Sequence, residues 1–292
     1  MTARNRRRQQ GFTLVEMLVV IGIIALLISI LIPAMAAVRV AAKVASTKSL
    51  ISTLCSAIER YREDLRYYPG PLDDYTILTG NPAPPGNIGV GGRVTMSENL
   101  FLGIAGGLTP GVTPPGTFNP SNIGKGANLM TPYIQVSAGS TDVSRLGRPF
   151  TDSGNVSALD TNIPEFVDRF DEPLPILYLR ARVGATGVIS NGTPLQQYDI
   201  RQITAYTTRN IGNRTHLLQD IGLTAPTVAF DPKNTNPANA WSYFKHAIVT
   251  SEAVTIQDPR QKNTYILISA GKDRIYGTAD DLCNFGSVVP GQ

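Results

Sequence analysis

The residues best suited to chemistry in this chain are acids, and they gather in two places. Near the C-terminus, Asp273, Asp280 and Asp281 fall within residues 269–285, together with Gly271 and Gly277. Carboxylates crowded into one loop repel each other unless a cation or solvent lies between them. A hard cation such as calcium takes about six to eight oxygens, many of them backbone carbonyls that glycines allow to turn inward. The same residues also suit an acidic surface turn closed by its own Asx hydrogen bonds. The alternating acids and terminal Glu of an EF-hand are missing. Near the N-terminus, Glu16 is the sole acid at the start of an apolar run that carries no charge from Met17 to Ile32. An ionised group at the centre of a membrane helix costs about 2–3 kcal/mol, less near an end, and usually has a partner. No Lys or Arg lies within one turn of Glu16 on its C-terminal side. Its partner is therefore expected from elsewhere.

Other reactive groups are few. Cys55 and Cys283 are too far apart in sequence for a CxxC redox or zinc motif. In an oxidising compartment they could tie the C-terminal loop to the N-terminal helix, and the alternative is two independent thiols. The two histidines, His216 and His246, have no neighbouring nucleophile pattern. There is no G-x-S-x-G, H-E-x-x-H or P-loop, and Asp73-Asp74 reads as a solvated pair, so the chain is read as a non-enzyme. The formal charge of +4 includes Arg4, Arg6, Arg7 and Arg8. Without those four, 22 basic residues stand against 22 acidic ones. That balance excludes a nucleic-acid footprint.

The elements that must position these groups follow from hydrophobic pattern. Phe12 to Ile32 is long enough, as a helix, to span a bilayer core of about 30 Å. Arginines on its N-terminal side alone place the N-terminus in the cytoplasm and export the remainder. An ordinary secretory signal, with Ala34-Met35-Ala36 as its cleavage site, is disfavoured because its apolar core would span only about 7–15 residues. Beyond Pro33, where the helix could bend, Val44, Ile51, Leu54, Ile58, Tyr61 and Leu65 recur on one face. The prolines and glycine of Tyr67–Pro71 then stop the helix. The expected organisation is a leader over 1–11, a transmembrane helix over 12–34, its amphipathic continuation over 35–66, and an exported domain over 67–292. Within that domain 69–164 is rich in turn residues and reads as a surface insertion. It includes a short helix from Ser97 to Ile104, capped by Ser97, with Leu100, Phe101 and Ile104 inward. Strands are expected at Ile176–Arg182, Gln202–Thr207 and Tyr265–Ser269, a short helix at Asn239–His246, and an acidic loop at 269–286.

The leader, Gly11 and Phe12-Thr13-Leu14-Val15-Glu16 together resemble the class III signal of type IV pilins and type II secretion pseudopilins. The resemblance implies that a prepilin peptidase cuts between Gly11 and Phe12 and methylates the new N-terminus. It implies that Glu16 pairs with the N-terminal amine of a neighbouring subunit. The C-terminal stretch is similar to the calcium loop of the major pseudopilins, S-x-G-x-D-G-x-x-G-T-x-D-D-[IL]-x-N-[FW]. Ser269, Gly271, Asp273, Gly277, Thr278, Asp280, Asp281, Leu282, Asn284 and Phe285 fit it. Arg274 departs, standing where the family often has Gly, and a positive φ there would strain the turn. By resemblance Asp273, Asp280 and Asp281 are side-chain calcium ligands and Ala270 and Thr278 carbonyl ligands. Asp171, Pro175 and Tyr178 align loosely with a D-x-W-G-x-P-x-x-Y segment that opens the sheet in those proteins.

The implied fold is α+β and pilin-like, a long N-terminal helix packed on a C-terminal antiparallel sheet. The implied role is a subunit of a type II secretion-like pseudopilus at the bacterial inner membrane, with a periplasmic domain. Its partners would be itself, other pseudopilins, prepilin peptidase and the inner-membrane assembly platform. The rivals are a type IV pilin of a surface fibre and a membrane-anchored periplasmic binding protein or enzyme that never polymerises.

Overall fold

The computed structural model describes residues 13–72, 94–109, 116–125, 132–136, 163–171, 173–184, 197–198, 261–274 and 280–286, and the backbone alone at 150–151, 189–190, 199, 210–211 and 214–215. The expected strand at Gln202–Thr207, the expected helix at Asn239–His246, both histidines and Asp73-Asp74 lie outside the described residues. Contacts divide the chain into two compact units, with the boundary between Lys43 and Val44.

Helix α1 (Leu14–Leu65) is continuous for 52 residues and contains Pro33. In its first part, Leu, Ile and Val cover every side, and the most apolar window has a mean hydropathy of 3.0 with none of its residues buried. A helix apolar all round is stable only where something other than water surrounds it. Pro33 has no N–H to offer the carbonyl of Ser29, a defect that membrane helices tolerate better than soluble ones. From Thr47 onward the pattern becomes one-sided. Thr47, Leu50, Ile51, Leu54, Ala57, Ile58 and Tyr61 are buried. Val44 and Leu65 pack at the margin of the core. The expected stripe is therefore present, widened by Thr47, Leu50 and Ala57. The helix ends because Arg66 takes a left-handed conformation, φ 67°, while its N–H still reaches the carbonyl of Arg62 at 2.8 Å.

The chain then runs against helix α2 (Met96–Ile104), all nine residues of which are buried. This part of the turn-rich stretch is core, not a surface insertion. Its cap is Thr95 rather than Ser97: the Thr95 hydroxyl accepts from the Glu98 N–H at 3.0 Å, and the Thr95 N–H donates to the Glu98 carboxylate at 2.7 Å. Ser97 instead bonds the strand beside it, donating to the Ile176 carbonyl at 2.9 Å and accepting from the Tyr178 N–H at 3.1 Å. Asn99 and Leu72 exchange two hydrogen bonds, of 3.0 and 3.1 Å. Gly70 allows this approach, because a Cβ there would lie 2.4 Å from the Asn99 amide nitrogen.

The strands are β1 (Gly106–Thr109), β2 (Thr117–Ile123), β3 (Phe150–Thr151), β4 (Leu177–Arg180), β5 (Ile189–Ser190), β6 (Tyr198–Asp199), β7 (Asn210–Ile211), β8 (Arg214–Thr215), β9 (Tyr265–Ser269) and β10 (Leu282–Cys283). The sheet that matters for the C-terminal loop has the order β10-β9-β4 and is antiparallel throughout. Both of its expected strands, at 176–182 and 265–269, are present as β4 and β9. All five residues of β9 are buried, consistent with its unbroken apolar sequence. Tyr265 and Leu267 join the core cluster that contains Leu54, Ile58 and Tyr61 of α1. The fold is thus α+β, a long N-terminal helix with antiparallel sheets in the C-terminal part, consistent with a pilin-like architecture.

Tyrosines unite this core. Tyr61 meets Tyr67 and Tyr133 at centroid distances of 5.6 and 5.2 Å, and Tyr265 meets Tyr68 and Tyr178 at 5.4 and 6.2 Å. Burial, reinforced by neighbouring acids and phenols, raises the phenols of Tyr61, Tyr198 and Tyr265, and pushes Tyr133 up to about 12.

Two outcomes follow. Leu54 is fully buried, so Leu54→Ala should cost about 2–5 kcal/mol in urea unfolding of the detergent-solubilised chain. Unfolded tyrosines ionise near pH 10, about the ordinary value, and these folded ones later. The tyrosines' contribution to stability should therefore be level below about pH 10 and fall as pH rises from there toward the folded values. Absorbance at the phenolate band should show a group of tyrosines ionising only together with loss of tertiary structure.

Candidate functional site

Two sites carry the chemistry, one in each unit. At the start of α1, Glu16 has a partner within its own helix. Its carboxylate accepts from the Thr13 N–H at 2.8 Å and the Thr13 hydroxyl at 2.7 Å, and the Glu16 N–H donates back to that hydroxyl at 3.2 Å. This is a reciprocal capping box, and it satisfies backbone donors that the first helical turn leaves open. Thr13 thus supplies hydrogen bonds from within the helix and no counter-charge. The signal was legible: Thr13-Leu14-Val15-Glu16 is itself the T-x-x-E signature of that box. Gly11 and Phe12 lie outside the described residues.

The second site is the loop between β9 and β10. Residues 271–274 form a tight turn, and Asp280 closes it from the far side. One oxygen of the Asp280 carboxylate accepts from the N–H groups of Lys272 at 2.7 Å and Asp273 at 3.1 Å. Gly271, at φ 65°, has to be glycine: a Cβ would meet the Asp280 carbonyl oxygen at 2.3 Å. Past the loop, Asn284 extends the ladder with its own amide, accepting from the Leu267 N–H at 3.0 Å and donating to the Tyr265 carbonyl at 3.3 Å. Its backbone N–H reaches the Leu267 carbonyl at 3.2 Å.

Arg274 is the residue whose geometry decides the loop. Its φ is 65°, the left-handed conformation that its sequence position put in question. The side chain turns inward and forms a 2.7 Å ion pair with Asp168, whose side chain is fully buried. The same nitrogen donates to the Gly271 carbonyl at 2.9 Å, and the guanidinium lies 5.0 Å from the centroid of the Phe170 ring. Asp168 also accepts from the Ser269 hydroxyl at 3.0 Å and the Leu174 N–H at 3.2 Å. Burial pushes the Asp168 carboxyl up, and Arg274, Leu174 and Ser269 oppose that push.

Sequence reasoning missed Asp168. It singled out Asp171, three residues on, which is exposed. A single acid in Phe166-Val167-Asp168-Arg169-Phe170 carries no local signal. Its role appears only when residues 166–168 pair with 174–176 and bring it under the loop.

The expected calcium ligands separate on inspection. Ala270 and Asp281 are buried, while Asp273 is exposed. Thr278 lies outside the described residues. Among the described residues, no three acidic, His or Cys side chains come together as a metal-holding group. A guanidinium already holds the Gly271 carbonyl, and the Asp280 carboxylate already caps two backbone donors. Arg274 and the backbone of the turn therefore already hold two of the oxygens that a cation here would take, and one carboxylate oxygen of Asp281 is buried beside them in sequence.

Of the two readings left open for Cys55 and Cys283, the structure has no disulfide between them. They line one open groove of about 880 Å³, together with Lys48, Lys272, Asp280 and Asp281. Facing a shared space, rather than each other at bonding distance, keeps them separate. Burial raises the Cys55 thiol, which makes it a poor thiolate.

Residues 6–32 match the family described as the prokaryotic N-terminal methylation motif. Comparison with curated proteins and with solved structures gave no match. The motif and the apolar helix behind it support a membrane-anchored, single-pass, pilin-like subunit that prepilin peptidase processes.

Replacing Gly271 should separate the steric role of the turn from its charges. Gly271→Ala places a side chain in the left-handed region and against Asp280, so it should cost at least about 1–3 kcal/mol in urea unfolding.

Proposed function

We propose that this chain is a structural subunit of a type II secretion-like pseudopilus. The observation that carries the reading is the prepilin-type signal at residues 6–32, which runs into a 52-residue helix whose first part is apolar on all sides and unburied. Among the described residues, the best-built polar sites hold backbone in place. The similarity of residues 269–285 to the C-terminal loop of major pseudopilins favours secretion over a surface pilus.

In this reading, cleavage between Gly11 and Phe12 removes the arginine leader and leaves a cationic, methylated amine on Phe12. Thr13 holds Glu16 in the meantime, so that a carboxylate carried into the membrane is never without donors. During assembly the Phe12 amine of a second subunit would come within reach of Glu16. A charge pair formed in a low-dielectric medium is far stronger than one in water, so it sets the register of one helix on the next. The rest of the chain would be displayed in the periplasm, in contact with the other pseudopilins and the inner-membrane assembly platform.

Co-expression with a prepilin peptidase should shorten the chain by residues 1–11 in intact-mass measurement, and Gly11→Ala should block that. A chain that keeps Met1 in the presence of an active peptidase would reject the reading. Glu16→Ala should be cleaved normally and yet fail to assemble at the wild-type rate, as followed by cross-linking in membranes. Deleting the gene in its host should abolish export of secreted proteins and leave surface fibres intact; the opposite result would assign it to a type IV pilus.

A further inference from the structure

We propose that the turn at residues 271–274 is locked by an internal cation, the Arg274 guanidinium, and that this turn forms and holds its shape without calcium. The turn at 271–274 and the acids around it suggest a need for positive charge, and the geometry points to Arg274 as its source. Three observations converge. Arg274 adopts φ 65°, a conformation that costs a non-glycine residue free energy, and it does so with its side chain directed inward. That side chain joins two otherwise separate parts of the loop framework: the buried Asp168 carboxylate at 2.7 Å and the Gly271 carbonyl at 2.9 Å. Asp168 in turn holds the end of β9 through the Ser269 hydroxyl and the 174 backbone through the Leu174 N–H.

One guanidinium therefore ties the last residue of β9, the first carbonyl of the turn and the segment that precedes β4. Such planar, several-donor recognition is what arginine provides and a lysine ammonium does not. The remaining demand for negative charge in the turn is met by Asp280, whose carboxylate accepts from two N–H groups on the opposite side of Gly271. A divalent cation brought to the same turn would meet a fixed positive charge and a carbonyl already in use. The inference concerns the loop alone and stands whichever fibre the subunit enters.

Hydrogen exchange of the detergent-solubilised full chain, read over residues 269–286 by mass spectrometry, tests it. In the wild type, protection in this segment should be the same in a calcium chelator and in about 10 mM calcium, roughly tenfold above the weakest dissociation constants of extracellular calcium modules. Arg274→Ala should speed exchange there by about tenfold or more, in both conditions, since it removes a charge-assisted bond. Arg274→Lys should fall between the two. Should Arg274→Ala fail to fold, Asp168→Asn supplies the second probe, because it keeps the shape and removes the charge. The double variant Arg274→Ala/Asp168→Asn should cost less than the sum of the singles. Calorimetric binding of one calcium per wild-type chain with loss of loop protection on chelation would overturn the proposal. So would an Arg274→Lys or Asp168→Asn chain with wild-type protection.

Discussion

One helix has to satisfy two different surroundings, and this constraint organises the chain. The first part of α1 is apolar on every side, and among the described residues none of its most apolar window is buried. In water such a surface would drive association; in lipid it is at rest. From Thr47 the same helix carries a single buried stripe that ends at Tyr61. That stripe meets α2, β4 and β9 in one hydrophobic cluster. Because the backbone hydrogen bonds of a helix are all internal, the element can pass from one medium to the other with only its side chains changing.

The same local device appears at the start of both helices. Thr13-x-x-Glu16 and Thr95-x-x-Glu98 are capping boxes with similar bond lengths. Their surroundings differ. Thr95 and Glu98 are fully buried, and the Thr95 hydroxyl also donates to the Glu165 carboxylate at 2.6 Å, so this box is fixed in the core. Thr13 and Glu16 are exposed in the chain as it stands. A carboxylate held only by its own helix end can change partners; one locked under two layers of core cannot. The physics of a helix terminus thus serves structure in one place and leaves a group available for exchange in the other.

The C-terminal loop shows how a single substitution alters the meaning of a pattern. Serine, glycines, paired aspartates, leucine and asparagine all stand where a cation-binding loop would place them, and Asn284 and Gly271 have clear geometric roles. Arg274 sits among them in a conformation better suited to glycine. Its positive charge is satisfied by Asp168 rather than by solvent, and a side chain that would otherwise be a misfit becomes the fastening of the turn.

Residue types and spacing alone determined the prepilin-type N-terminus, the long helix with its buried stripe, a short helix near 97–104 and the strands at 177–180 and 265–269. Each of these rests on periodicity or on a contiguous motif, which the chain expresses locally. The box at Thr13 and Glu16 was equally local, although the acid's cost in lipid drew attention away from it. The cap at Thr95 in place of Ser97, the burial of a stretch rich in turn residues, the separation of Cys55 from Cys283 and the pairing of Arg274 with Asp168 were decided by tertiary structure. Asp168 and Arg274 lie 106 residues apart in sequence. Whether a charge is a ligand for something else or already has its counterion depends on what the fold places against it, and no local pattern carries that information.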